Sequence, residues 1–107
     1  MGAVILATGA DLYAPGSEYR YDELDNVVTS EELEKAFCSD GEIGFNGAEP
    51  KSAAFILCVG SRDPEGFTGC SRYCCPTAIK QAIELNARGI DTTVFYRDIR
   101  TISTGAE

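Results

Sequence analysis

The sequence predicts an α/β fold with a small, mainly parallel sheet. Two continuous apolar runs, at residues 3–7 and 51–60, have the composition of buried parallel strands. The second run is followed by an amphipathic stretch at 76–88 and then by a β-branched and aromatic run at 92–96. Because a strand, a helix and a strand with short connections form a right-handed βαβ unit, we expect the two later strands to lie parallel.

The apolar run AVILA at residues 3–7 is predicted to be a strand that is covered on both faces and ends in a tight turn at Thr8-Gly9. Only Met1 and Gly2 precede it. We therefore expect it to be the last strand of a domain whose earlier part is missing, and to join the same sheet as the later strands.

A loop and a short helix are predicted next. Residues 11–26 are rich in Pro, Gly, Tyr and acidic residues and are expected to form a loop. Thr29 or Ser30 can N-cap a helix over about 30–38, because three Glu residues follow close to its positive end. The Gly-rich residues 39–50 are expected to form a second loop.

The second half is predicted to contain strands near 53–59 and 92–97 and a helix near 74–88. Pro76 suits the first turn of this helix, and Gly89 suits the position that follows its last turn. Spacing of three and four residues places the apolar side chains of the helix on one stripe, with Leu85 beside it. The members of the stripe are Ala78, Ile79, Ala82 and Ile83.

Length, charge and composition exclude several classes of function. A chain of 107 residues suffices for one small domain, and its lack of histidine excludes an imidazole base or an imidazole metal ligand. The net charge of −8 disfavours nucleic acid and anionic lipid as partners. The longest apolar run is too short for a transmembrane helix or a secretory signal, so we expect a cytoplasmic protein without membrane insertion.

The charge is divided unevenly along the chain. Residues 1–50 carry eleven acidic and two basic residues, whereas residues 51–107 carry six acidic and seven basic ones. We therefore divide the chain into two segments. The acidic segment, 1–50, contains the first strand, a linker and the short helix, and the nearly neutral segment, 51–107, contains the βαβ unit and most of the cysteines.

Four of the five cysteines surround the junction between strand and helix in the second segment: Cys58, Cys70, Cys74 and Cys75. A dinucleotide-binding unit carries G-x-G-x-x-G at this junction, and here only Gly60 stands where the first glycines would be. The pattern therefore does not favour a dinucleotide at this position. The fifth, Cys38, lies at the end of the acidic helix and is expected to be a small, buried or half-buried thiol.

Three kinds of site remain open for the four cysteines. Structural zinc favours Cys-x2-Cys pairs, which spacings of eleven, three and no intervening residues do not provide. A disulfide between Cys74 and Cys75 would need a distorted peptide and an oxidising compartment. An iron–sulfur cubane takes each thiolate at a different iron, so neighbouring cysteines can both bind, and a helix N-terminus stabilises its negative charge. The spacing favours such a cluster over zinc or redox-active thiols.

Several strings in the second segment resemble one known family. CVGSRD at 58–63 and CSRYCC at 70–75, followed by AIKQA and VFYRDIRT, are similar to the A subunit of heterodisulfide reductase and its relatives in anaerobic bacteria and archaea. Members of that family are flavin and iron–sulfur proteins with a thioredoxin-reductase-like core. The resemblance implies an internal fragment of a flavoprotein with two dinucleotide-binding domains. Residues 3–7 would end a part of the FAD domain, and residues 51–97 would open the second domain as a Rossmann-like βαβ unit.

The resemblance also implies roles for individual residues. Cys58, Cys70, Cys74 and Cys75 would bind a [4Fe-4S] cluster, and Arg62 and Arg72 would offset its charge. The backbone N–H groups of Gly60 and Ser61 would lie near the cluster sulfurs, and Thr8 and Gly9 would approach the FAD of the longer protein. The partners would be other heterodisulfide reductase-type subunits or electron-transfer proteins.

The implied function is electron transfer within an oxidoreductase. The segment by itself is expected to be catalytically inactive, because the FAD fingerprint would lie in an earlier part of the longer protein. NADPH binding is not expected, since the cysteine loop replaces the glycine fingerprint. The alternative is a zinc-stabilised or metal-free, degenerate nucleotide-binding half-domain with a structural or interaction role.

Overall fold

The structure, a computed structural model, describes residues 2–39 and 48–101 and confirms the α/β class. Its elements in chain order are a 3₁₀ turn (Glu18–Arg20), helix α1 (Ser30–Cys38), strand β1 (Ser52–Ile56), helix α2 (Cys74–Ala87) and strand β2 (Asp91–Phe95). The strands β1 and β2 pair in parallel, as predicted, with Ser52 opposite Asp91 and Ile56 opposite Phe95. Most of the loop predicted over 39–50 lies outside the described residues.

A capping box starts α1. The Thr29 hydroxyl accepts the backbone N–H of Glu32 at 3.3 Å, and the Glu32 carboxylate accepts the backbone N–H of Thr29 at 2.7 Å. These two bonds satisfy N–H groups that have no partner within the helix. The N–H bond from Thr29 is also the main reason why the pKa of Glu32 lies below its ordinary value. Of the two predicted caps, Thr29 is therefore the one used.

A Schellman motif ends α2. The N–H of Gly89 donates to the carbonyl of Asn86 at 2.9 Å, and the N–H of Ile90 donates to that of Leu85 at 3.1 Å. Gly89 has a φ of +83°, which confirms the predicted role of this glycine. Leu85 and Ile90 also share the hydrophobic core, which is the apolar contact that accompanies this motif. In the described ranges, no helix is long and apolar enough to cross a membrane.

The core lies where α1 and α2 meet the inner face of β1. Leu33 of α1 packs with Leu85 and Ile90, and partly buried side chains surround the three. These are Val28, Phe37, Ala53 and Phe55. Gln81 of α2 is fully buried among them, and its amide donates to the Ser30 carbonyl at 2.9 Å. The helix of the first segment is thus fixed to the helix of the second segment.

Each strand is covered on one face only. Burial alternates along both strands, so that Phe55 and Val94 face α2 while Ile56 and Phe95 face outward. Ile56 is 40% exposed and Phe95 58% exposed. The expectation of strands covered on both faces is wrong for this chain, because α2 packs on a single face of the two-stranded sheet.

The predicted strand at 3–7 is absent from the described structure. Val4, Ile5 and Leu6 adopt no regular secondary structure and are 85–88% exposed. The apolar composition of this run is compatible with a strand, but a strand forms only when its N–H and C=O groups pair with a neighbour. Among residues 2–39 and 48–101, the sheet contains β1 and β2 alone. The tight turn predicted at Thr8-Gly9 is not found either, since neither residue lies in a turn or a bend, although Gly9 has a φ of +76°.

The buried stripe of α2 differs from the predicted one. Its fully covered members are Cys75, Ala78, Gln81 and Leu85, whereas Ile83 is 65% exposed. The helix lies between α1 on one flank and an open apolar groove of about 530 Å³ on the other. Three predicted stripe residues line this groove with the inward side chains of β2: Ile79, Ala82, Ile83, Thr92 and Val94. Periodicity identified apolar positions but could not tell which flank α1 covers.

Gly89→Ala should lower the free energy of unfolding by about 1–2 kcal/mol, the cost of a left-handed backbone for a residue with a Cβ. An added Cβ at this position meets no atom within 4 Å, so backbone strain is the whole effect. Urea denaturation measures the change. The matched control is Gly66→Ala, where the backbone is not left-handed and contacts are of ordinary length. An equal loss in both variants would contradict this account.

The pair of Glu34 and Lys80 should make stability depend on pH. Lys80 donates to the Glu34 carboxylate, and Gln81 donates to it at 3.1 Å, so the pKa of Glu34 lies below its ordinary value. Because this pKa is lowered in the folded state, ionised Glu34 stabilises the protein at pH values above the ordinary Glu pKa of about 4.3. That stabilisation is lost as the pH falls below this value and through the lower pKa of the folded state.

Glu34→Gln should therefore lower the melting temperature of the chain at pH 7. The difference in melting temperature between this variant and the unsubstituted chain should be smaller at pH 3. Thermal unfolding at both pH values measures this. Glu65→Gln, in the loop between β1 and α2, removes the same charge and should show no such narrowing. If Glu34→Gln lowers the melting temperature equally at both pH values, the stabilising role of ionised Glu34 is refuted.

Candidate metal centre

The four clustered cysteines lie at the carboxyl edge of the sheet. The last ladder bond joins the N–H of Leu57 to the Phe95 carbonyl at 3.0 Å, and Cys58 follows at once. The chain re-enters regular structure at Cys74 and Cys75, the first two residues of α2. Because the carboxyl ends of parallel strands meet at one edge, this is the part of a parallel α/β sheet where ligands usually bind.

The loop between Cys58 and Cys70 folds back on itself. The N–H of Arg62 donates to the Gly69 carbonyl at 3.1 Å, and the N–H of Asp63 donates to the Phe67 carbonyl at 3.1 Å. Arg62 and Gly69 thus lie side by side at the base of this loop. These bonds bring Gly69, and with it Cys70, back to Arg62, which lies four positions after Cys58.

The segment before α2 contains two contacts to cysteine sulfur. The N–H of Arg72 donates to Cys70 Sγ at 3.3 Å, and the Ser71 hydroxyl lies 3.7 Å from Cys74 Sγ. The N-cap residue Tyr73 supplies no side-chain cap, and the first turn contains no acidic residue. The amino end of α2 therefore keeps its partial positive charge next to Cys74 and Cys75.

The thiols differ in exposure. Cys75 is buried, Cys58 and Cys70 are partly buried, and Cys74 is exposed. Cys38 is exposed as well, so the expectation of a buried or half-buried thiol is wrong, because Cys38 lies on the uncovered last turn of α1. All five cysteines belong to the described residues, and all are free thiols. Within residues 2–39 and 48–101, no group of three or more Cys, Asp or Glu side chains is arranged to hold a single metal ion. The ligand set of four cysteines therefore stays a prediction.

Arg62 connects the cysteine loop to the end of β2. Its guanidinium pairs with the Asp98 carboxylate, and the Arg97 guanidinium donates to the Arg62 carbonyl at 2.6 Å. The bond to Arg62 is the main reason why the pKa of Asp98 is lowered. The pKa of Arg62 is raised, first by Asp98 and then by the neighbouring Cys58 side chain. Asp98 had no predicted role, although its position after a strand of a parallel sheet was a usable signal.

The loop contains several residues in the left-handed backbone region. Cys58, Arg62 and Arg72 have φ values of +64°, +54° and +61°, and Gly60 has +72°. This conformation costs a residue with a side chain about 1–2 kcal/mol. Such residues persist only where the surrounding structure fixes them, and they concentrate at functional sites. The hydrogen bonds at the base of the loop provide this fixation.

The four residues predicted to touch a cofactor have different surroundings. The N–H of Ser61 donates to the Cys58 carbonyl at 3.2 Å, so it closes a turn in this structure. Gly60 lies under the ring of Tyr13, which no sequence signal indicated. Thr8 and Gly9 are exposed, and a Cβ at Gly9 would meet no atom within 4 Å. Their predicted approach to a flavin stays a prediction.

Gly60→Ala should destabilise the chain by more than the roughly 1–2 kcal/mol that the left-handed backbone alone costs. The added Cβ would come within 2.5 Å of the Tyr13 ring, whose hydroxyl is held by Glu18. The ring must therefore move away and lose that hydrogen bond.

A double-mutant cycle measured by urea denaturation tests the contact between Tyr13 and Gly60. The loss caused by Gly60→Ala should be smaller in the Tyr13→Ala background, since the obstacle is already gone. Strictly additive effects would show that the ring does not pack on Gly60.

Curated proteins match the chain over its whole length. The A subunit of H(2):CoB-CoM heterodisulfide,ferredoxin reductase from Methanothermobacter thermautotrophicus is 40% identical over 118 aligned residues, which cover 100% of this chain and 18% of that protein. The iron-sulfur A subunit of CoB--CoM heterodisulfide reductase from Methanocaldococcus jannaschii is 37% identical, with the same coverage of both chains. The A subunit of ferredoxin:CoB-CoM heterodisulfide reductase from Methanosarcina mazei is 40% identical over 92% of this chain and 14% of its own length.

The chain spans about 18% of the length of most of these relatives. No family model matches the chain, and no solved structure matches it significantly. Two of the relatives are named as iron-sulfur A subunits of a CoB--CoM heterodisulfide reductase. The resemblance inferred from the cysteine strings is confirmed, and the chain belongs to the family of heterodisulfide reductase A subunits, which it matches along one segment.

Proposed function

We propose that this chain is an electron-transfer segment of an oxidoreductase similar to the A subunit of heterodisulfide reductase, and that it binds one [4Fe-4S] cluster. The ligands are Cys58, Cys70, Cys74 and Cys75. The observation that carries the proposal is the pair of closing bonds from Arg62 to Gly69 and from Asp63 to Phe67. They bring Gly69, and with it Cys70, back to Arg62, four positions after Cys58, and this supports a shared site.

The residues present fit the chemistry of such a cluster. Its ligands are thiolates, and the chain supplies four clustered cysteines and no histidine. Each thiolate binds a different iron, so the adjacent Cys74 and Cys75 can both serve. The N–H of Arg72 on Cys70 Sγ and the free amino end of α2 favour negative charge on sulfur. A bound cluster would supply one-electron transfer, and this chain would hold and shield it.

The role of FAD belongs to the longer protein. Thr8 and Gly9 would approach the flavin there, in a Rossmann-like two-domain arrangement in which residues 51–97 open the second domain. Electrons would pass between that flavin, the cluster and other proteins of a heterodisulfide reductase-type complex. The names of the relatives support a complex of several subunits for those proteins.

Anaerobic reconstitution of the chain with iron and sulfide should yield on the order of four iron and four sulfide per chain, with visible absorption that dithionite bleaches. Cys70→Ala should lose most of the iron and the absorption, because one iron of the cluster loses its protein ligand. Cys38→Ala is the matched control and should keep both, since Cys38 lies at the end of α1.

Two outcomes would contradict the cluster. The first is equal iron content in Cys70→Ala and Cys38→Ala. The second is stoichiometric zinc without acid-labile sulfide in chain purified without oxygen, which would instead support a zinc-stabilised domain.

A further inference from the structure

Both the backbone and the guanidinium of Arg62 have partners in the structure. Its backbone N–H bonds to the Gly69 carbonyl at 3.1 Å, and its carbonyl accepts Arg97 Nη1 at 2.6 Å. Its guanidinium pairs with Asp98, and its side chain is only 21% exposed. Arg62 is therefore a fixed positive charge and not a mobile surface arginine. Arg62 directly follows the turn in which the N–H of Ser61 donates to the Cys58 carbonyl at 3.2 Å, so this charge lies beside the part of the loop that carries Cys58.

Asp98 connects to the cysteines in two ways. Its carboxylate holds Arg62, which follows the turn closed on the Cys58 carbonyl, and its backbone carbonyl lies 3.9 Å from Cys75 Sγ. Its second carboxylate oxygen accepts Arg100 Nε at 3.3 Å from the solvent side. Asp98 thus contacts Arg62 near the start of the segment that carries the four cysteines and Cys75 at its end.

We infer that Asp98 is a positioning residue that fixes the Arg62 guanidinium beside Cys58 and thereby raises the reduction potential of the iron–sulfur group. This inference rests on the proposed function. Reduction adds one electron, and hence one negative charge, to that group, and a fixed cation next to it stabilises the reduced form. The stabilisation persists at physiological salt because the Arg62 side chain is largely covered.

The sign of the Asp98 effect distinguishes positioning from simple charge. If Asp98 acted only through its own negative charge, its removal would raise the potential. If Asp98 acts by holding Arg62, its removal releases the cation into solvent and lowers the potential. The two hypotheses therefore predict shifts in opposite directions for the same substitution.

The experiment measures the midpoint potential of the reconstituted chain by an optical titration with dithionite and mediator dyes. Arg62→Gln should change the ratio of reduced to oxidised form at a fixed potential by about tenfold, a shift of about 59 mV toward negative values for one electron. Asp98→Ala should also lower the potential in the otherwise unsubstituted chain. In the Arg62→Gln background, Asp98→Ala should raise it, since only the charge effect remains.

Arg100→Gln is the matched control. It removes an arginine that pairs with the same Asp98 carboxylate, but the Arg100 side chain is more exposed than that of Arg62. Its shift should be clearly smaller than that of Arg62→Gln, and equal shifts would overturn the inference. A rise of the potential by Asp98→Ala in both backgrounds would overturn it too. Asp98→Asn, which keeps the size of the side chain, replaces Asp98→Ala if the alanine variant binds less iron.

Failure of the inference and failure of the proposed function give different results. If the unsubstituted chain incorporates no iron and sulfide, the proposed function is wrong and the inference falls with it. If all variants incorporate them equally and their potentials coincide, the cluster stands and only the role of Asp98 and Arg62 is refuted.

Discussion

Two five-residue strands, β1 and β2, run side by side in the same direction, and this pairing determines where every candidate ligand lies. Parallel strands need a crossover, and α2 provides it. The crossover returns the chain to the starting edge of the sheet, so the loop before the helix and the segment after β2 meet at the opposite edge. Cys75 and Asp98 therefore come within 3.9 Å, although they are 23 positions apart in the sequence.

The loop at this edge holds an unfavourable backbone by means of polar contacts and not by an apolar core. Three residues with side chains have left-handed conformations there, each at a cost of about 1–2 kcal/mol. Hydrogen bonds at the base of the loop and the contacts of Arg62 with Arg97 and Asp98 offset that cost. Such an arrangement leaves Cys74 exposed and Cys58 and Cys70 partly exposed at the sheet edge.

The core lies away from this edge, between α1, α2 and β1. Leu33, Leu85 and Ile90 are nearly inaccessible, and the buried amide of Gln81 ties α2 to the first turn of α1. The oxygen of that amide has no partner among the described residues. The stability of the helical layer and the chemistry of the loop thus depend on different residues, so substitutions such as Glu34→Gln and Arg62→Gln can be interpreted independently.

Patterns in the sequence were sufficient to predict the two helices, the strands β1 and β2, their parallel pairing and the family. Capping residues, periodicity and the cysteine strings are local signals, and the parallel pairing follows from a strand, a helix and a strand joined by short connections. The tertiary structure decided the rest. Residues 3–7 have strand composition but lack a neighbour to pair with, and the packing of α1 decided which flank of α2 is covered. The ion pair of Arg62 and Asp98 joins residues 36 positions apart, a contact that local patterns cannot encode.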